Sequence, residues 1–262
     1  MVSLAPTCAL YEPPGFLVTE MLSAPLSSES LSPDIARTWQ AADNLRKTFW
    51  GNGLDVKLHK VLDDNGNSCK YLPMAYYDDL RQLGHCERVL LIRKEYDSAF
   101  ERLQDWYSTA RDHNCGGVVV TGQPGNGMLS LLTIALLIIA NQGKSCFLYY
   151  LLLYLLSKEK PVALQLSSHF LVFQGTHVNI YPNELANPYV IPIGAWALSD
   201  SSYRAKQPCN TFLDAAKQQF AWIVHTTSPL ERRWKEWEKQ HSVDMFVMDH
   251  FSIGEITALG SV

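Results

Sequence analysis

Two short clusters hold the residues whose types and spacing could do chemistry. Gly122, Gln123, Pro124, Gly125 and Asn126 form the first, and Gly143, Lys144 and Ser145 the second, with Gly127–Gln142 between them. A Gly-rich loop opening a helix lets successive backbone N–H groups converge on phosphate oxygens. A lysine at its end reaches the outer phosphates, and the hydroxyl after it ligates magnesium. The pattern G-x-x-x-x-G-K-[ST] needs Lys directly after its last Gly, whereas Gly127 is followed by Met128. Removing the sixteen residues Gly127–Gln142 repairs it, leaving Gly122, Gln123, Pro124, Gly125, Asn126, Gly143, Lys144 and Ser145 in one run. Removing Met128–Gly143 gives the same joined sequence. The removed piece, GMLSLLTIALLIIANQ, carries no charge. Gly-Met can be encoded with GTATG and Gln with CAG, the two ends of a short retained intron. The alternatives are a genuine apolar insertion, or an unrelated loop with chance glycines.

Other residues with chemical potential lie further on. Asp200 ends the apolar run Ile191–Asp200, the pattern of a magnesium-holding acid, although an Asp there also serves as a turn residue or helix cap. Ala221–Pro229 carries Thr226 and Thr227, hydroxyls placed where related sheets sense a γ-phosphate, and Thr227 is the candidate. Asp63, Asn65 and Asn67 start like a calcium loop. The Gly is misplaced and Met74 stands at the twelfth position, so a turn is the better account. The six cysteines include no C-x-x-C pair, which argues against zinc and against a disulfide framework. His169, His177, His225 and His250 lack metal-like spacing, and no Ser-His-Asp arrangement can be argued.

These residues need strands and helices to position them. Gly117–Thr121 reads as a buried strand and Cys146–Leu156 as a core helix, the context a phosphate loop requires. Further strands are expected at Pro161–Ser167, Ile191–Asp200, Ala221–Pro229 and Val243–Asp249, with a hairpin over Phe170–Tyr181. Helices are expected over 33–47, 88–112 and 231–240. The second has one apolar face, which packing on the sheet explains; Arg93 at its start could instead lie beside a nucleotide. Val56–Leu62 and Ser68–Leu72 predict a β-hairpin. The organisation is therefore a loosely attached leader (1–32), a small N-terminal region (33–84) and an α/β domain (85–262) interrupted by 127–142. In an open α/β sheet ligands sit at the carboxyl ends of strands, which brings Asp200, Thr226 and Thr227 toward Lys144 and Ser145.

Composition bounds the function classes. A net charge of −4 gives no bulk attraction to nucleic acid. The N-terminus lacks the basic and apolar blocks of a signal peptide, so an intracellular location is expected. Met128–Ala140 is shorter than the ~20 residues that span a bilayer, and Lys144 separates it from the next apolar run. A membrane partner is therefore not expected, and a membrane-associated role through 128–156 is the rival.

VLLIRKEYDSAF, GVVVTGQPG, GKSCFLYYLLLYLL, AWIVHTTSPLERRW and MFVMDHFS resemble the P-loop NTPase domain of fungal Crinkler/RHS-like proteins, which are similar to AAA+/STAND ATPases. The resemblance spans roughly residues 85–260. It implies a three-layer α/β fold with a five-stranded, mainly parallel sheet, and ATP and magnesium as cofactors. It also implies Lys144 as phosphate residue, Ser145 and Asp200 as metal residues and Thr227 as sensor. Three departures accompany it. The phosphate motif is split, Asp200 is followed by Ser201 and Ser202 rather than Glu, and the sequence reaches Val262 where a lid domain with arginine sensors is expected. The expected function is ATP binding, with slow ATPase activity and a nucleotide switch, impaired by the insert. The rival is an interaction module with a degenerate site and an unidentified protein partner.

Overall fold

The computed structural model describes residues 32–62, 66, 68–84, 90–113, 115–122, 143–201, 207–227, 235, 237, 243–249, 252, 254 and 255. The leader up to residue 31, Gln123–Asn126, the insert 127–142 and most of the expected helix 231–240 lie outside them.

Among the described residues seven strands form one mixed sheet: β4 (Gly117–Gly122), β5 (Val162–Gln165), β6 (His169–Gln174), β7 (His177–Pro182), β8 (Ala195–Asp200), β9 (Ala221–Thr227) and β10 (Asp244–Met248). Their spatial order is β10-β4-β9-β8-β5-β6-β7. The first five are mutually parallel, and β6 and β7 add an antiparallel hairpin at one edge. The sheet is therefore wider than the five strands expected. The extra pair is the Phe170–Tyr181 hairpin, whose Gln174 and His177 flank a tight turn and whose register continues the ladder of β5.

Alternation along the strands divides the sheet into two faces. Val118, Val120, Leu164, Leu198 and Val224 point into a core shared with three helices, α1 (Pro33–Phe49), α3 (Lys94–His113) and α4 (Gly143–Ser157). Val119, Ala163, Ala197 and Ile223 point into a second core under the short helix α5 (Asn210–Lys217) and Trp237. Phe170 on β6 meets Phe212 of α5 edge-on at 5.4 Å in this second core. α4 is apolar all round and almost wholly buried, as an interior helix must be. Its phenols find acceptors: Tyr149 Oη donates to the Leu83 carbonyl and Tyr150 Oη to Asp97, both at 2.7 Å. No helix among the described residues is long and apolar enough to cross a membrane.

α1 starts as its sequence requires, with Ser32 at the cap, Pro33 in the first turn and Asp34 near the positive helix end. Trp39 on this helix donates its indole N–H to the Val178 carbonyl at 2.8 Å, covering the edge strand β7. The expected hairpin forms as β1 (His59–Leu62) and β2 (Ser68–Leu72). A third strand, β3 (Leu90–Ile92), joins β2, and α2 (Tyr77–Gln82) lies between them in the chain. This corrects the expected helix 88–112. Leu90, Leu91 and Ile92 are a continuous buried apolar run better suited to a strand, and the helix begins only at Lys94. The small sheet thus draws its last strand from beyond the boundary expected at residue 84.

Candidate functional site

The two halves of the Gly-rich stretch meet. Gly122 ends β4 and Gly143 opens α4, so the strand-to-helix junction forms although twenty residues separate them in the chain. A Cβ added at Gly122 would stand 3.3 Å from Lys144 Nζ. A Cβ there would push the flexible end of the Lys144 side chain by a few tenths of an ångström. The expectation that the insert impairs the loop falls on residues 123–142, which lie outside the described residues; the two ends of the loop, Gly122 and Lys144, stand side by side. Gln123, Pro124, Gly125 and Asn126 lie outside the described residues.

Lys144 is 9% exposed. Burial lowers its pKa from the usual ammonium value, and the negative charge of Asp200 partly opposes the shift. Beside it, Ser145 Oγ donates to Asp200 Oδ2 at 2.8 Å, and Thr226 Oγ1 donates to Asp200 Oδ1 at 2.7 Å. Each oxygen of the carboxylate thus accepts one hydroxyl. Register explains the convergence: Asp200 and Thr226 are cross-strand partners at the carboxyl ends of β8 and β9, on the face covered by α4. The backbone continues the tie, with the Ser201 N–H donating to the Thr226 carbonyl at 2.8 Å.

The structure thus brings together Gly122, Lys144, Ser145 and Asp200 with Thr226. Thr227 follows Thr226 by one residue and so belongs to the opposite face, opposite Thr121 on β4. Its buried Oγ1 has no hydrogen-bond partner among the described residues. Sequence reasoning weighed the two threonines by their place after an apolar run; counting period two from Val224 would have separated them.

Two further arrangements at the sheet escaped the sequence reading. On the α5 face, Gln165 Oε1 accepts from Ser199 Oγ at 3.1 Å and from the Cys209 N–H at 2.9 Å. His225 Nδ1 lies 3.2 Å from the same Ser199 Oγ, and its ring meets Trp237 edge-on at 5.6 Å. This buried line ties β5, β8, β9 and α5 together without reaching the Ser145–Asp200 cluster. At the carboxyl end of β10, Arg93 is 4% exposed and pairs with Glu95 at 2.8 Å and Glu255 at 3.0 Å. Its guanidinium also donates to the Asp249 carbonyl at 3.1 Å, one residue past the Met248–Gly122 pair. Arg93 therefore lies between β3 and α3 rather than on the helix face. Burial raises the pKa of Glu95, reinforced by Asp249 and Glu255 and opposed by the Asp249 N–H and Arg93. Ser252 and Glu255 exchange backbone-to-side-chain bonds as a capping box, which fixes Glu255 for this pairing.

Among the described residues no cluster of three or more His, Cys, Asp or Glu side chains stands ready to cage a metal. The Ser145–Asp200 pair offers instead one hydroxyl and one carboxylate, a hard oxygen set of the kind magnesium uses together with water and phosphate. The chain matches no family model, no curated protein and no solved structure.

Proposed function

We propose that the chain binds ATP with magnesium at the junction of β4 and α4, as a P-loop NTPase of AAA+/STAND-like type, and uses the nucleotide as a conformational switch with slow hydrolysis. The observation that carries this reading is the convergence of Lys144 and Ser145 with Asp200 and Thr226 beside Gly122. The site residues fit the ligand on two counts. The Lys144 ammonium, disfavoured by burial, gains from a polyanion beside it, and Gly122 next to it brings no side chain of its own. Ser145 and Asp200 would hold the magnesium, and the Lys144 ammonium would orient the outer phosphates. Bound ATP supplies the phosphoanhydride that hydrolysis breaks. Thr226, bonded to Asp200, would report the state of that end of the ligand to β9. No Glu follows Asp200 to orient water, which favours slow turnover over rapid hydrolysis.

The test is titration of a fluorescent ATP analogue against the full chain with magnesium and with excess EDTA. Magnesium-dependent saturation is expected, weakened at least ~10-fold in Lys144→Ala, equivalent to about 1.4 kcal/mol. A folded full chain without saturable binding would leave the interaction-module reading standing, and equal binding by Lys144→Ala would remove the site proposed.

A further inference from the structure

A cavity of about 360 Å³ opens beside Asp200, at the carboxyl ends of β5 and β8. α1 forms one wall with Asp34 and Thr38, and Leu83, after α2, forms another with Tyr149. The β5–β6 turn contributes Ser167 and Ser168, and Ile180 lies within on β7. The walls are tied in place. The Tyr149–Leu83 bond holds one side, and Asn183 donates from its side chain to the Leu166 carbonyl at 2.9 Å and from its backbone to that of Ser168 at 3.0 Å. The size falls at the small end of metabolite sites, which run from about 300 to 1,000 Å³.

The charge of the lining narrows the occupant. Among its described residues stand two carboxylates, Asp34 and Asp200, one imidazole, His169, and no Lys or Arg. Asp34 is exposed and pairs with Arg37, so a phosphate ester would meet chiefly the Asp200 carboxylate, at a cost that partial desolvation increases. Among the described residues the lining of the cavity does not include Lys144. Its chemistry is an apolar floor with a rim of hydroxyls and exposed serines, which matches a sugar ring: C–H groups on one side, O–H groups around the edge.

We propose that this cleft is a second binding site, taking an uncharged sugar ring with free hydroxyls, whether a free monosaccharide or the ribose end of a nucleoside. Among the described residues Asp200 is the one common to the cleft and to the Lys144–Ser145 cluster. Occupancy of the cleft does not depend on nucleotide binding, so the two readings can fail separately.

The experiment is isothermal titration of the full chain with D-ribose, D-glucose, adenosine and cytidine, with ribose 5-phosphate and glucose 6-phosphate as charged counterparts. MgATP is titrated in a parallel arm. At least one uncharged compound is expected to bind saturably, and more tightly than its phosphate ester. Response to the monosaccharides assigns free sugar as the source, and response to the nucleosides alone assigns the nucleoside. Ser167→Trp, at an exposed turn position that leaves the core untouched, should close the mouth and weaken binding at least ~10-fold. No saturable binding by any of the four compounds overturns the proposal, as does unchanged affinity in folded Ser167→Trp or equal affinity for the phosphate ester. MgATP binding without sugar binding overturns it alone. Sugar binding without MgATP binding upholds it and removes the nucleotide site.

Discussion

Replacing Asp200 by Asn keeps the shape of the residue and removes its charge. Asp200 accepts two hydroxyl bonds, at 2.8 Å from Ser145 and 2.7 Å from Thr226. Hydrogen bonds to a charged group contribute about 1.5–3 kcal/mol each, against about 0.5–1.5 for neutral pairs. Asn retains one oxygen acceptor, and its amide can donate to the second hydroxyl once that hydroxyl rotates. Two charged bonds thus become two neutral ones, and a loss of about 1–3 kcal/mol of stability is expected, which a cooperative domain survives. Lys144 also loses the negative charge that opposes its desolvation, so its ammonium becomes easier to neutralise. For ligand binding the change removes one anionic support of the magnesium. Magnesium-dependent ATP affinity should fall about 10- to 100-fold, or 1.4–2.8 kcal/mol, while the weaker magnesium-free binding changes less. The assay pairs urea denaturation with ATP titration at fixed magnesium and in EDTA. Equal magnesium-dependent affinity in a folded Asp200→Asn protein would refute the metal role of this carboxylate.

Deleting Gly127–Gln142 should raise ATP affinity about 100-fold, or 2.8 kcal/mol. It should also improve solubility, because each Leu or Ile of the insert left exposed forgoes about 1.5–3 kcal/mol. Comparable affinity in a soluble long form would show that the loop tolerates the insert. Thr226→Val should cost about 1–3 kcal/mol by removing a donor to a carboxylate, whereas Thr227→Val should be neutral or stabilising, since its hydroxyl is buried without a partner among the described residues. Urea midpoints that rank the two variants in the opposite order would contradict the facing assigned here. Glu95 has a raised folded pKa, so its favourable contribution is fully present below its unfolded pKa and is lost as pH rises through the folded one. The stability of wild type relative to Glu95→Gln should therefore decline from about pH 4 toward neutrality, measured by denaturation across that range. A difference that grows with pH would contradict it.

Much of the parallel sheet was legible in the sequence because its strands are unbroken apolar runs, each ending on a polar residue. Val118–Thr121, Trp196–Asp200 and Trp222–Thr227 announce both the strand and the end at which ligands gather. β3 was hidden because Leu90–Ile92 is too short to show a period and abuts a helix whose own period is strong. The candidate site was legible in its residue types and less so in their facing. Lys144, Ser145 and Asp200 could be named from spacing, but Thr226 and Thr227 differ only in parity, which a register settles. Nothing local forecast the Arg93–Glu95–Glu255 cluster either, since Arg93 and Glu255 lie 162 positions apart and meet only when β10 pairs with β4.

The contact between Gly122 and Lys144 has a consequence for how the gene can vary. Twenty residues bridge Gly122 and Gly143 in the present chain, and four would remain without Gly127–Gln142. Closing the fivefold longer bridge costs only about 1.4 kcal/mol in chain entropy. That cost is a fraction of the stability of a typical domain. A message that keeps the sixteen codons and one that loses them would then yield proteins with the same sheet, the same helix start and the same Ser145–Asp200 bond. They would differ only in what stands between the strand and the lysine, so RNA processing alone could decide whether a given molecule presents an open cradle.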